Sequence, residues 1–135
     1  MKKLLTLFLC SFAFLFPAFS QDTHEEHLLD GTSMNYYYQN GSAVHVEFVD
    51  GQFNFEWIVG PNKGVAGSCD YRSRKIGDKL YLVNCWYEPT KAFVTIVFNF
   101  NQNVMSTSAL LGAGSEEQMI IFEGGIIEHL TLNEN

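Results

Sequence analysis

A glutamate that follows a tryptophan by two residues is the first candidate for chemistry in this sequence. The segment VNCWYEPT spans residues 83–90, and Trp86 and Glu88 share one face of the strand it predicts, because alternate strand residues point the same way. A carboxylate beside an indole in an apolar interior loses hydration, which raises its pKa toward the range of a general acid or base. Glu88 also precedes Pro89, so a solvated position at the strand end is the alternative, and the segment alone leaves both open.

Three consecutive tyrosines form the second candidate group. They lie in NYYYQNG, residues 35–41, where Tyr36 and Tyr38 face one side of a predicted strand and Tyr37 faces the other. The Asn-Gly pair that follows is a strong signal for a tight hairpin turn. A two-residue turn would pair Tyr37 with Val44 and leave Tyr36 and Tyr38 on the polar face, whereas a three-residue turn or a bulge would reverse this.

The charge of the chain restricts its partners. The formal net charge of the 135 residues is −7, and an acidic surface disfavours nucleic acid and anionic membranes, which are bound through lysine and arginine. His24 and His27 flank two glutamates, but their spacing matches no metal-binding motif and no third ligand cluster follows. We therefore expect no metal, no cofactor and no nucleic-acid partner.

The N-terminal segment has the pattern of a secretory signal peptide. Residues 1–20 begin with two lysines after the initial methionine, continue through an apolar run over residues 4–16, and end at Ala18-Phe19-Ser20. The run is too short to cross a bilayer as a helix. We predict cleavage after Ser20, a periplasmic or secreted mature chain of about 115 residues, and no membrane insertion after cleavage. Removal of Lys2 and Lys3 lowers the formal charge from −7 to −9.

Two cysteines remain after this cleavage, Cys69 and Cys85. In an exported chain, an even pair of cysteines most simply forms a disulfide. A turn centred on Gly77 would place the two residues opposite each other on antiparallel strands, close enough for a bridge. We therefore predict a Cys69–Cys85 disulfide, with two reduced core cysteines as the alternative.

The remainder of the chain predicts an all-β fold. Residues 21–32 are polar and acidic and are expected to be a flexible arm, and residues 33–135 are expected to form one domain. Apolar residues alternate with polar ones between turn-forming pairs, which predicts strands over residues 33–40, 43–50, 52–59, 66–75, 79–88, 91–100, 104–111, 118–123 and 126–132. Eight or nine strands in hairpin succession indicate a single antiparallel meander, closed into a lipocalin- or calycin-like barrel that leaves no exposed sheet edge.

Several of these segments also carry a family resemblance. The order YYYQNG, GVAGSCDY, YLVNCWYEPT and VTIVFNF resembles the small calycin-like barrels of the phenolic acid decarboxylases and the related family typified by the molybdenum-cofactor biosynthesis protein F (MoaF). The likeness runs from about Met34 to Leu111. Its most specific parts are Tyr-x-Tyr before Asn-Gly and Trp-x-Glu-Pro-Thr.

The decarboxylase resemblance implies roles for three of these residues. By analogy, Tyr36 and Tyr38 would point inward and hold a substrate carboxylate, and Glu88 would handle a proton on the phenol side. The arginine that completes such a site does not carry over, because the Ala-Gly pair at 66–67 is followed by serine and cysteine, and Arg72 and Arg74 come later. A bound carboxylate would then lack a strong charge-assisted contact, which argues against decarboxylation.

Three functional hypotheses follow. The leading one is an exported calycin-like barrel that binds a small apolar or aromatic molecule, with lining drawn from Tyr36, Tyr38, Trp57, Tyr71, Trp86 and Glu88. The second is a lyase of the phenolic acid decarboxylase type, with Glu88 as its acid/base. The third is a non-catalytic interaction module, for which a homodimer is one arrangement.

Overall fold

Eight antiparallel strands form a closed barrel in the computed structural model, which describes residues 26–133. The strands are β1 (Ser33–Tyr38), β2 (Ala43–Val49), β3 (Gln52–Val59), β4 (Ala66–Gly77), β5 (Leu80–Tyr87), β6 (Ala92–Asn99), β7 (Val104–Leu111) and β8 (Met119–Thr131). A single 3₁₀ turn, Glu88–Thr90, is the only helical element of this part of the chain. Each strand pairs with the next and β8 pairs with β1, which confirms the predicted meander barrel. Among residues 26–133 no helix has the length and apolar character needed to cross a membrane; the signal-peptide prediction lies outside these residues.

The register of the β1–β2 hairpin places two of the three tyrosines inside. Tyr36 pairs with Val44, both buried, and the backbone N–H of Tyr38 donates to the carbonyl of Ser42 at 2.8 Å. Three residues therefore form the loop, and its last residue, Gly41, has a φ of +87°. This is the three-residue alternative, in which a glycine accepts the left-handed conformation that closes the turn.

The β2–β3 hairpin was predicted correctly. Val46 pairs with Phe55 and Phe48 pairs with Phe53 across the turn at Asp50 and Gly51. The apolar face of the two strands is the barrel interior, because Val46 and Phe48 have no exposed surface. Polar residues of the same strands alternate onto the outer face, as period-two patterning requires.

The last two predicted strands are one strand. Residues 118–123 and 126–132 were expected to flank a turn at Gly124-Gly125, but β8 runs through both glycines. Its first half pairs with β7 and its second half with β1, so this strand closes the barrel. A Cβ on Gly125 would lie 2.5 Å from the carbonyl oxygen of Tyr37. The glycine is therefore explained by a close approach of two backbones and not by a turn.

One end of the barrel is closed by the residues that precede β1. Residues 26–32 belong to the segment expected to be a flexible arm, and they pack across this end, with Leu29 fully buried. The phenol of Tyr71 donates to the Asp30 carboxylate at 2.8 Å and accepts from the N–H of Leu29 at 3.2 Å. Asp30 also accepts from the N–H of Gly51, and Ser73 donates to the carbonyl of Glu26. These bonds attach the segment to the turns and strands of the closed end.

The β4–β5 register is displaced by two residues from the predicted one. Tyr71, not Cys69, lies opposite Cys85, because the turn lies at Asp78 and Lys79 and not around Gly77, and a bulge between Lys75 and Gly77 also changes the pairing. Cys69 pairs instead with Phe53 of β3. Both cysteines are buried free thiols in the structure, so the predicted disulfide is not formed there.

Candidate ligand-binding cavity

A cavity of about 670 Å³ occupies the half of the barrel opposite the closed end. Its mouth lies among the loops that follow β1, β3, β5 and β7, where Asn62 and Thr90 are exposed. The walls combine aromatic, aliphatic and a few polar side chains from every strand. Those used below are Tyr36, Tyr38, Phe55, Trp57, Cys69, Cys85, Tyr87, Val94, Thr107, Ala109 and Glu123.

Aromatic rings from β1 and β3 form one wall. The rings of Tyr38 and Trp57 stack with centroids 5.9 Å apart and an interplanar angle of 25°. Tyr36 meets Tyr38 edge to face at 5.3 Å. Because strand residues two apart share a face, the Tyr-x-Tyr spacing is what delivers both phenols to this wall. The structure thus brings together the rings of Tyr36, Tyr38 and Trp57.

Burial changes the acidity of the two phenols. Desolvation, with the neighbouring Tyr38 next in importance, raises the pKa of Tyr36 well above its ordinary value. Desolvation also raises the pKa of Tyr38 to about 12, with hydrogen bonding to Tyr36 opposing the rise and the charge of Glu123 adding to it. Both groups are therefore neutral phenols at physiological pH, available as hydrogen-bond donors and acceptors to a bound molecule.

A second wall contains a glycine that lets two rings meet. Phe55 and Tyr87 pack edge to face with centroids 5.2 Å apart. A Cβ on Gly67 would lie 2.6 Å from the ring of Phe55 and 2.7 Å from the hydroxyl of Tyr87. Gly67 thus leaves the space that these two lining rings use.

The two cysteine thiols line the same cavity and interact with each other. Hydrogen bonding to Cys85 lowers the pKa of Cys69, against an opposing contribution from burial. The same hydrogen bond, together with burial, raises the pKa of Cys85. Cys69 is therefore the thiol more readily ionised, and thiolate is the reactive form.

Glu123 is a lining residue that the sequence did not single out. It lies on β8 opposite Thr107, two residues before Gly125, which pairs with Tyr38. The segment MIIFE is apolar up to this residue, and three of its apolar residues, Met119, Ile120 and Phe122, are exposed. Period-two reasoning would have placed Glu123 in solvent. The pattern of the neighbouring strand β7 could have revealed the inward orientation of Glu123. Ser106 and Ser108 lie on the outer face of β7, so Thr107, and with it the paired Glu123, lies on the inner face.

Trp86 and Glu88 lie outside the cavity, which corrects their expected inward position. On β5 the residues facing inward are Val83, Cys85 and Tyr87, so Trp86 points out and is 42% exposed. Glu88 follows the strand, in the exposed 3₁₀ turn, and accepts a hydrogen bond from the Trp86 indole N–H. The solvated alternative at the strand end is therefore the observed one.

Tyr71 and the two arginines also do not line the cavity. Tyr71 is buried at the closed end, where Asp30 holds its phenol. Arg72 and Arg74 are exposed on the outer face of β4. The residues that the lyase hypothesis requires, Glu88 and an arginine near Tyr36, are not assembled in one place. No group of three potential metal ligands exists among residues 26–133.

The cavity can therefore enclose an apolar body and offer it a few polar contacts. Its volume falls within the range of roughly 300–1,000 Å³ that is typical of small-molecule sites. The hydroxyls of Tyr36 and Tyr38 interact with each other on β1, and Glu123 on β8 is near enough to Tyr38 for its charge to raise the pKa of that phenol. They could orient the polar end of such a molecule.

Comparisons with known proteins agree with this architecture. The model of the MoaF-like family matches residues 30–126. Among solved structures, the chain is similar to a protein from Burkholderia vietnamiensis that is provisionally named a beta-lactamase, with a TM-score of 0.66 and 14% sequence identity. This likeness covers 73% of the present chain and 92% of that one, and at such identity it shows a shared fold alone. A comparison with curated proteins found no match.

Proposed function

The chain belongs to the MoaF-like family, and we propose that it is an exported member whose barrel binds one small molecule with an apolar or aromatic body. The cavity of about 670 Å³ is the observation that carries this proposal. A barrel of about eight strands can be filled by its own side chains or can hold one small ligand. The two halves of this barrel differ in that respect.

The closed half is filled by ring packing. Phe48, Tyr71 and Phe98 are fully or almost fully buried, and Phe48 contacts both other rings with centroids 4.8 Å and 6.0 Å away. This half supplies the core that stabilises the fold. The open half retains its volume although it is equally rich in aromatic residues. A hollow lined mainly by apolar groups is typical of a binding site.

Export is proposed from the sequence of residues 1–20. Two lysines, an apolar run and small residues before Gln21 form the three regions of a secretory signal. Removal of this segment would leave the barrel and residues 21–32, so the ligand would be encountered in the periplasm or outside the cell. The mass of protein recovered from that compartment should correspond to a chain that begins at Gln21.

The two tryptophans of the chain allow a direct binding assay. Trp57 lines the cavity and Trp86 lies outside it, so the Trp86→Phe variant retains a single indole that reports on the cavity. We expect the neutral aromatic probe N-phenyl-1-naphthylamine to quench Trp57 emission saturably, with one site per chain. Native mass spectrometry of the same exported protein would identify any molecule that copurifies with it.

A matched pair of substitutions locates the site. Ala109 is buried against the cavity, and Ser108, its neighbour on β7, is exposed on the outer face. Ala109→Phe should fill the cavity and weaken probe binding roughly tenfold or more, whereas Ser108→Phe should leave it unchanged. Val94→Phe provides a second filling variant if circular dichroism shows that Ala109→Phe is unfolded. Failure of the probe to affect Trp57, together with a ligand-free native mass, would contradict the proposal.

A further inference from the structure

The cavity has a single charge, and that charge is negative. Glu123 is the only ionisable residue other than tyrosine and cysteine among the described residues that line the cavity, and no lysine, arginine or histidine is among them. Within residues 26–133, Glu123 also has no ion-pair partner. Its field reaches the interior, since it contributes, after burial, to the raised pKa of Tyr38. A carboxylate inside an apolar cavity favours a ligand that brings positive charge or hydrogen-bond donors to it.

The rings beside Glu123 are of the kind that attract cations. Tyr38 pairs with Gly125, two residues after Glu123 on β8, and its ring stacks on Trp57 and meets Tyr36 edge to face. The faces of tryptophan and tyrosine carry negative partial charge and attract ammonium groups, tryptophan most strongly. The phenol oxygens of Tyr36 and Tyr38 are also hydrogen-bond acceptors. The carboxylate, the phenols and the indole thus all favour a positively charged ligand.

The loops around the mouth do not reverse this preference. Glu88, Glu116 and Glu117 lie in the loops at this end, and Lys63 and Lys91 are the basic residues of the same loops. None of the five lines the cavity. Acidic residues are in excess at the entrance, and the chain as a whole has a net charge of −7. The long-range field therefore attracts cations toward the mouth.

Resting on the proposed binding function, we propose that the ligand is an organic cation, an amine or ammonium compound on a small apolar or aromatic body, with its charged nitrogen placed between Glu123 and the rings of Tyr38 and Trp57. Within residues 26–133 no group of three metal ligands exists, so a carboxylate with aromatic neighbours is better suited to an organic cation than to a metal ion. A hydroxycinnamic acid, by contrast, would bring its carboxylate toward Glu123 with no lining cation to compensate.

Three phenols of matched shape test the charge preference. Tyramine carries an ammonium group, tyrosol a neutral hydroxyl and 4-hydroxyphenylacetate a carboxylate on the same short chain. Each would compete with N-phenyl-1-naphthylamine for the cavity of the Trp86→Phe protein at neutral pH. We expect tyramine to compete roughly tenfold more strongly than tyrosol, since a hydrogen bond to a charged group is the stronger kind, and 4-hydroxyphenylacetate to compete least.

Substitution of the carboxylate separates this inference from the proposed function. Glu123→Gln keeps the shape of the side chain and removes its charge, so the preference for tyramine over tyrosol should fall several-fold, to what the rings alone supply, while the neutral probe still binds. Glu128→Gln, which removes an exposed carboxylate of the same strand, should preserve the tyramine preference. Probe binding with equal competition by tyramine and tyrosol, or with a preference for the acid, would overturn the cation assignment and leave the cavity function standing. Absence of probe binding would overturn both.

Discussion

Individual side chains of the cavity owe their properties to their neighbours. Tyr36, Tyr38 and Glu123 lie on adjacent strands with their polar atoms in an apolar enclosure, where interactions between charges and dipoles are stronger than in water. The same enclosure contains Cys69 and Cys85, whose thiols interact with each other. Export into an oxidising compartment would favour a bond between these sulfurs, so the disulfide stays a prediction for the mature protein.

Alkylation of the reduced protein should distinguish the two thiols. Hydrogen bonding to Cys85 lowers the pKa of Cys69, so Cys69 should react first with iodoacetamide, and its adduct should occupy the cavity and block probe binding. Cys85→Ala removes the hydrogen bond, which raises the pKa of Cys69, and at a pH below that pKa alkylation should slow several-fold. Cys85→Ser retains a hydrogen-bond donor, so the alkylation rate of Cys69 in this variant should be closer to that of the native protein. The measurement is the pH–rate profile, with peptide mapping of the adduct.

Preferential labelling of Cys85, or a profile unchanged in Cys85→Ala, would contradict the assigned hydrogen bond. A protein that offers no free thiol until it is reduced would instead support the Cys69–Cys85 disulfide. Reduced and unreduced samples from the same export preparation make this comparison directly.

Strand elements were predictable from sequence where their patterns were unambiguous. The two strands of the β2–β3 hairpin were predicted correctly because an Asp-Gly turn and strict alternation specify one register. For β1 the sequence alone left two registers open, and only the resemblance of Tyr-x-Tyr to a known family favoured the inward orientation that the structure has. The β4–β5 register was missed because the turn lies at Asp78 and Lys79, after Gly77, and because alternation does not reveal the bulge between Lys75 and Gly77.

The site was less predictable than the fold. Trp57 was named because aromatic residues on an apolar strand face are expected inside a barrel, whereas Tyr36 and Tyr38 were placed inward only by the family resemblance; all three line the cavity. Trp86 was also expected to face the interior, but Cys85 and Tyr87 are the neighbouring residues of β5 that face inward. Which face of an amphipathic strand is the interior depends on its neighbours in the sheet, and that information is not local to the segment.

Closure of the barrel through β8 depends on one of two adjacent glycines. Gly125→Ala would place a Cβ 2.5 Å from the carbonyl oxygen of Tyr37, and backbone atoms in a paired strand cannot move aside without loss of hydrogen bonds. We expect the free energy of unfolding in urea to fall by roughly 1–3 kcal/mol. Gly124→Ala is the matched control, since its nearest neighbour would be a carbonyl oxygen 3.6 Å away. Equal stability of the two variants would show that the β1–β8 approach is not constrained as described.

At the scale of the whole molecule, the barrel separates a stabilising half from a binding half. The closed end combines the buried rings of Phe48 and Phe98 with the capping contacts of Leu29 and Asp30. The open end keeps Tyr36 and Tyr38 at the boundary between packed core and cavity. Both halves bury phenols, so the stability of the entire fold should decrease at alkaline pH.

The direction of that dependence follows from the raised phenol pKa values. Burial raises the pKa of Tyr38 from 10.0 to about 12 and also raises that of Tyr36 and Tyr71. A group whose pKa is higher in the folded protein releases its proton more easily when unfolded, so its contribution is intact below about pH 10 and is lost as pH rises toward about 12. For Tyr38 alone, the rise in pKa corresponds to at most about 3 kcal/mol.

Urea unfolding at a series of pH values from about 9 to about 12 measures this loss. The native protein should lose stability steadily above pH 10, and Tyr38→Phe, which cannot ionise at this position, should lose less over the same interval. Tyr37→Phe is the control, since Tyr37 is the neighbour on the opposite face of β1 and its replacement should leave the slope unchanged. A slope that is the same in all three proteins would mean that the phenol of Tyr38 is not desolvated by the barrel. The two-half division would then need revision, because Tyr38 is the residue through which the cavity and the core are joined.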